Sequence, residues 1–279
     1  MEINNLKDKP DFSKNSIIKL GRAIREGGEY DQDLLEEFRI WNSEVIEYCT
    51  QLERKHYEDY PNIYHSLPLC LEKEIIIPNI EFSSRVKTLD TLRQKLKRQE
   101  TSLDRIQDVA GTRIDGLLTL RSQEEVATSL ANAFKENGAE DVEPKNLLHS
   151  PRLGYRAVHL RIKSPAGWVE VQIRTHLQSA WANAYEALAD VKGREIRYEN
   201  ESSPNLEGSP RDLIDLSDIL HNIQKKFNET IDKIYKYESR NAFPRDADIE
   251  YAITLHQGFT EIRKRLDAYV DHLRSRTVE

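Results

Sequence analysis

Apolar residues recur at helical spacing from Ser13 to about Asp59, with Leu34, Leu35, Phe38, Trp41, Val45, Tyr48, Cys49 and Leu52 on one face. Gly27-Gly28 interrupts this pattern and predicts two helices. Residues 60 to 84 carry Pro61, Pro68 and Pro78 with no period, and read as an irregular connector before a helix over about Leu89 to Arg98. The texture then changes. A strand is expected from Ala110 to Leu120, followed by a helix whose capping box would be Ser122-Gln-Glu-Glu125 and which Gly138 can end. Tyr155 to Lys163 and Trp168 to Thr175 alternate apolar and polar positions around the turn Ser164-Pro-Ala-Gly167. If paired residues sum to an odd number, as in Arg161 opposite Glu170 and His159 opposite Gln172, both apolar sets share one face. Tyr155, His159, Arg161, Glu170, Gln172 and Arg174 then share the polar face. A helix over His176 to Val191 follows. Two long amphipathic helices come last, the first carrying Leu213 to Ile234 and the second Ile249 to Leu273, separated by Asn241-Ala-Phe-Pro244. Their apolar stripes need partners, either each other, the core or a second subunit.

Composition narrows the possibilities. The chain has 279 residues, 32% of them charged, and a net charge of -7. This is a globular composition, and any polyanionic partner must be met by a local basic cluster. No apolar stretch approaches the roughly 18 residues of a membrane span. The N-terminus, Met-Glu-Ile-Asn-Asn-Leu-Lys, has neither a basic region nor an apolar one of the export type, so a cytoplasmic protein is expected. Cys49 and Cys70 have no metal-ligand spacing and read as small buried hydrophobes.

The basic cluster lies between Arg85 and Arg105. Seven cationic residues (Arg85, Lys87, Arg93, Lys95, Lys97, Arg98, Arg105) face three acidic ones (Asp90, Glu100, Asp104), a local excess of four charges. A solvated helix face would explain it, and so would a phosphate-binding surface. Asp108 stands just before one strand and Glu170 on the polar face of another. Two carboxylates converging beside cations are the arrangement that holds Mg²⁺ against a triphosphate. No Gly-x-x-x-x-Gly-Lys-Ser/Thr loop occurs, so a nucleotide would not be held by a P-loop. Tyr155 is either a half-buried structural tyrosine or a platform for a stacked base. His159 is either a plain sheet residue or part of the chemistry.

Four ordered motifs then mark a resemblance. Arg85-Val-Lys87 with Lys95-Leu-Lys97-Arg98, Gln107-Asp-Val-Ala-Gly-Thr-Arg113, Gly154-Tyr-Arg-Ala-Val-His159, and Glu170-Val-Gln-Ile-Arg-Thr175 with Trp181-Ala182 resemble the RelA/SpoT synthetase domain. The similarity covers about residues 80 to 200, and the chain looks like a small single-domain alarmone synthetase. The resemblance implies an α/β (α+β) fold, a nucleotidyltransferase-like mixed β-sheet flanked by helices. It implies three regions: N-terminal helices and connector over 1–79, a synthetase core over 80–200, and a C-terminal helical pair over 201–279. The implied activity is that of a GTP/GDP pyrophosphokinase, moving the β,γ-pyrophosphate of ATP to the 3′-hydroxyl of GDP or GTP, with no hydrolase activity.

By matching position, Asp108 and Glu170 would hold Mg²⁺, and Glu170 would also accept the 3′-hydroxyl proton. Arg85, Lys87, Lys95 and Arg113 would contact ATP, with Arg113 stacking on adenine. Tyr155 would stack on the acceptor guanine, with His159 and Gln172 nearby. The chain departs from the family pattern at Pro151, where a basic residue usually stands, at Ser179, where many relatives have Asn, and around Tyr185-Glu186, where many carry Glu-His. These departures lie on the acceptor side. They motivate an alternative, a toxin-like transferase acting on the tRNA 3′ end or on adenine nucleotides. A non-catalytic nucleotide- or RNA-binding module is a further alternative, against which the presence of both carboxylates weighs. Assembly as a homo-oligomer through the C-terminal helices is expected.

Overall fold

A computed structural model describes residues 3–64, 67–72, 74–75, 80–200 and 202–276. The first two helices form where the sequence places caps. Ser13 accepts from the Ser16 amide and starts α1 (Lys14–Glu26), and Gly27, at φ 73°, ends it in the left-handed region that glycine adopts without strain. Asp31 caps α2 (Gln32–Asp59) in the same way. The stretch read as an irregular connector holds two short helices, α3 (Pro61–Tyr64) and α4 (Leu69–Glu72), and the start of a strand, β1 (Glu81–Val86). Pro78 lies outside the described residues. Thr88 caps α5 (Leu89–Gln99), and β2 (Ala110–Gly116) follows. β2 stops short of Leu120 because the next helix, α6 (Leu120–Glu136), is capped by Thr119, whose hydroxyl accepts from the Ser122 amide at 3.0 Å. Ser122 therefore lies inside the first turn rather than capping it.

The remaining strands are β3 (Asp141–Asn146), β4 (Val158–Ser164) and β5 (Gly167–Thr175), and α7 (His176–Lys192), α8 (Ser209–Glu238) and α9 (Asp246–Ser275) complete the chain. The sheet runs β1-β2-β5-β4-β3, with β2 and β5 parallel and the other pairs antiparallel. The fold is therefore the expected mixed sheet flanked by helices. The β4–β5 hairpin has the odd-sum register, His159 opposite Gln172 and Arg161 opposite Glu170. Its apolar residues (Val158, Leu160, Ile162, Val169, Val171, Ile173) are buried with Ala110 and Ile114 against α2 and α6. The Trp41 indole locks α2 to the hairpin turn by donating to the Ala166 carbonyl at 2.6 Å.

A second core lies among the last three helices. Trp181 and Leu188 of α7 pack with Leu213, Leu220, Phe227, Ile231 and Ile234 of α8 and with Phe259, Leu266, Val270 and Leu273 of α9, all buried. Much of the stripes that suggested assembly is thus covered within one chain, while Leu216, Ile223, Ile249, Ile253, Ile262 and Tyr269 stay only partly buried. Each such side chain, fully buried, contributes about 1.5–3 kcal/mol. Cys49 is buried as expected, whereas Cys70, on the short α4, is only partly so. Among the described residues no helix is long and apolar enough to cross a membrane.

Candidate active site

Because directly paired residues on neighbouring strands point to the same side, the register writes out the polar face row by row. One row reads Arg85, Gly111, Glu170, Arg161 across β1, β2, β5 and β4. The next reads Ser83, Arg113, Gln172, His159, and the third reads Glu81, Asp115, Arg174. Gly111 sits between Arg85 and Glu170, so the surface joining the guanidinium to the carboxylate carries no side chain. A Cβ there would make only ordinary contact, 3.7 Å from the Glu170 carbonyl oxygen. What glycine provides at this position is open space.

Around Glu170 five side chains close a hydrogen-bonded ring. Glu170 Oε1 lies 3.2 Å from His159 Nδ1, and Oε2 accepts from Gln172 Nε2 at 2.9 Å. His159 Nε2 is 2.7 Å from the Tyr155 hydroxyl, and Arg174 Nη2 donates both to that hydroxyl and to Gln172 Oε1, each at 2.6 Å. The ring is satisfied when Tyr155 gives its proton to Nε2 and the imidazole keeps its own on Nδ1, facing Glu170. Burial pushes the Glu170 carboxyl up. The His159 hydrogen bond, the charge of that imidazole when protonated, the Gln172 amide and Lys95 outweigh it and bring the carboxyl down to about 2. Burial raises the Tyr155 hydroxyl, with Arg174 opposing, so the phenol stays protonated.

Asp108, two residues before β2, is clamped by two ammonium groups: Lys87 Nζ at 3.2 Å and Lys95 Nζ in a short hydrogen bond. Lys95 therefore acts on both carboxylates. Arg85 and Arg113 complete the face, and their guanidiniums make no hydrogen bond or ion pair among the described residues. Burial lowers the Arg113 pKa, and the neighbouring Arg174 lowers it further. An anion would relieve exactly this crowding of cations.

All nine residues singled out from the sequence thus lie on or beside one sheet face. Tyr155 departs in one respect: it precedes β4 by three residues, in an isolated bridge to Arg152, rather than opening the strand. Its hydroxyl is held in the ring, and the Arg174 guanidinium lies 5.0 Å from its ring centroid. Three further residues matter that the sequence did not single out as site residues. Arg174 is buried and closes the ring. Asp115 is buried on the same face, accepts from the Ser179 hydroxyl at 2.5 Å, and has its pKa raised by burial against the pull of Ser179, Arg174 and Arg113. Period-two spacing with Glu170 and Gln172 marks Arg174, and with Arg113 it marks Asp115. Ser179 shows no such signal.

Residues 84–195 match the family described as a region found in RelA / SpoT proteins. This segment is a RelA/SpoT-type domain. The uncharacterized proteins Rv1366 of Mycobacterium tuberculosis and Mb1401 of Mycobacterium bovis are each 37% identical over 201 residues, 71% of this chain. That match spans 66% of their own length, just under two thirds. Among solved structures, smu.1046c from Streptococcus mutans superposes with a TM-score of 0.52 at 18% identity, covering 73% of this chain and 97% of that one, which establishes a shared fold.

Within the RelA/SpoT segment the Gly154-to-His159 motif has a structural half and a chemical half. Gly154, at φ 80°, accepts a short hydrogen bond from the Ser217 hydroxyl of α8, and a Cβ there would fall 2.8 Å from Trp181 Cζ2. Arg156 is buried, bonds to the Leu148 carbonyl and pairs with Asp218 of α8 at 2.5 Å. The Trp181 indole donates to the Leu213 carbonyl at 2.6 Å. Tyr155 and His159 point instead into the ring around Glu170.

Proposed function

We propose that the protein transfers the β,γ-pyrophosphate of ATP to the 3′-hydroxyl of GDP or GTP. One observation carries this reading: a Glu170-centred hydrogen-bond ring and a lysine-clamped Asp108 lie at the same end of two adjacent parallel strands, flanked by the guanidiniums of Arg85 and Arg113, which have no ion pair among the described residues. Pyrophosphoryl transfer asks mainly for positioning and charge neutralisation, and this face offers both.

Two carboxylates and no larger cluster of His, Cys, Asp or Glu among the described residues suit Mg²⁺, which takes one or two protein carboxylates and completes its shell with water and phosphate oxygens. Asp108 and Glu170 would hold it, and when bound it would neutralise charge developing on the phosphates. Lys87 and Lys95, which neutralise Asp108 here, turn to the ATP phosphates, and Arg85 and Arg113 bind the nucleotide beside them. Tyr155 presents its ring to the acceptor base. Glu170 alone is a weak proton acceptor with its carboxyl held so low. The Glu170–His159 pair shares that role, since a proton on the imidazole strengthens its bond to the carboxylate.

Purified protein incubated with γ-labelled ATP and Mg²⁺, and separately with GDP, GTP, ATP or bulk tRNA, tests the reading. Label on the guanine nucleotide is expected. Label only on tRNA or on adenine nucleotide would transfer the chain to the toxin-like alternative, and no transfer at all would leave a binding module.

A further inference from the structure

Arg98 stands about one turn beyond Lys95 on α5, and positions three apart on a helix are neighbours on its surface. Lys95 reaches Asp108, so Arg98 rises beside the lysine that clamps the carboxylate. Its guanidinium lies against an aromatic ring, the central carbon 3.7 Å from the Tyr198 centroid. That guanidinium makes no hydrogen bond or ion pair among the described residues, which leaves its N–H donors open.

The ring is held from the other side of the site, by α7. A 3₁₀ turn, Arg194–Arg197, follows that helix and is tied back to it: the Tyr185 hydroxyl donates to the Ile196 carbonyl at 3.2 Å, and Arg197 pairs with Glu186 at 2.5 Å. The Tyr198 amide closes the turn by donating to the Glu195 carbonyl at 2.8 Å. Tyr198 therefore meets α5 from a fixed base. It is 41% exposed, more than a core tyrosine would be, and it lies three residues past the matched segment 84–195. The adjacent carboxylate does not compete for Arg98, because Glu199 accepts from Asn205 Nδ2 at 2.7 Å.

Stacking does two things to an arginine. It restricts a long side chain that would otherwise sample many rotamers, and it leaves the edge of the planar group, where the donors lie, open to phosphate oxygens. Ordering the side chain in advance lowers the entropic cost of binding. We propose that Tyr198 is a positioning residue, whose ring holds Arg98 where its donors meet the triphosphate of the ATP beside Lys95. This rests on the reading that ATP binds at Asp108 and Lys95.

Fluorescence titration of the full chain with N-methylanthraniloyl-ATP and Mg²⁺, beside initial rates of transfer, tests it. Tyr198→Leu should weaken nucleotide binding and raise the ATP KM about threefold, the size of an exposed cation–π contact, with kcat and the acceptor KM unchanged. Tyr198→Phe keeps the aromatic face and should bind as wild type does. In an Arg98→Gln background, Tyr198→Leu should add nothing further. A leucine variant that binds like wild type, a phenylalanine variant as weak as the leucine one, or full additivity with Arg98→Gln would overturn the proposal. So would a wild type that binds no nucleotide. Binding without transfer, with the pattern among the variants intact, would overturn the assigned reaction and leave the positioning role standing.

Discussion

Glu53 of α2 is fully buried behind β2, on the face of the sheet opposite the ring. Its Oε1 accepts from the Thr112 hydroxyl at 2.5 Å, and its Oε2 has no hydrogen-bond partner among the described residues. Burial raises its pKa from 4.5 to about 8, with Thr112 and Arg54 pulling the other way. For a carboxyl with a raised folded pKa, the associated stability is fully present below 4.5 and is lost as pH climbs through 8. The loss approaches 1.36 kcal/mol per pH unit inside that window, so wild-type protein should lose about 3 kcal/mol between pH 5 and pH 8 from this group alone. Glu53→Gln keeps the shape and the acceptor for Thr112 but cannot ionise. Urea unfolding at pH 5, 6.5 and 8 should show the variant gaining on wild type by about 3 kcal/mol across the range, at equal m-values. Parallel stability profiles would refute the reasoning, because they would mean that water or a counter-charge reaches Glu53 in the folded state.

Three other perturbations follow from the site. Asp108→Asn and Glu170→Gln should each abolish pyrophosphate transfer while circular dichroism stays unchanged, and near wild-type turnover in either variant would remove the two-carboxylate assignment. Tyr155→Ala should raise the acceptor KM with little change for ATP, since a stacked aromatic is worth about 1–3 kcal/mol per base, whereas Tyr155→Phe keeps the ring and separates stacking from the hydroxyl bond to His159. An unchanged acceptor KM in the alanine variant would return Tyr155 to a structural role. Gly154→Ala forces a Cβ against Trp181 at positive φ and should destabilise the fold by about 2–4 kcal/mol, read as a lowered urea midpoint; an unchanged midpoint would show that the Trp181 ring yields freely.

Much of this arrangement is legible in the amino-acid sequence, for an identifiable reason. Alternation in β4 and β5 is strong because both strands are central, with one face against α2 and α6, so burial alone dictates their register. β1 and β3 leave no such alternation because they are edge strands. Each has one neighbour, most of their residues are exposed, and β3 carries Pro144, which an edge tolerates. The stripes of α8 and α9 are legible as apolar, but periodicity reports that a face is covered and says nothing about by what. The Ser179–Asp115 bond joins positions 64 apart in sequence, through the packing of α7 on the sheet. No local pattern encodes such a pair.

That pair and the α8 contacts bear on the face proposed above to take the acceptor. The chain departs from the family pattern at Pro151, Ser179 and Tyr185. Ser179 bonds Asp115 on the polar face, and Tyr185 stacks on Trp181 at 5.3 Å with the rings 18° apart. Trp181 in turn sets the space that only glycine can fill at 154, and Ser217 and Asp218 of α8 hold the residues on either side of Tyr155. Tyr155 therefore has its backbone fixed by the C-terminal helices and its hydroxyl fixed by Arg174. Of the altered positions, Tyr185 acts through Trp181 on where that ring stands and Ser179 acts on the Asp115 charge beside it, while Asp108 is held by Lys87 and Lys95 rather than by either. If the proposed assignment of roles holds, a shift in acceptor preference with an intact ATP half is the consequence this geometry allows.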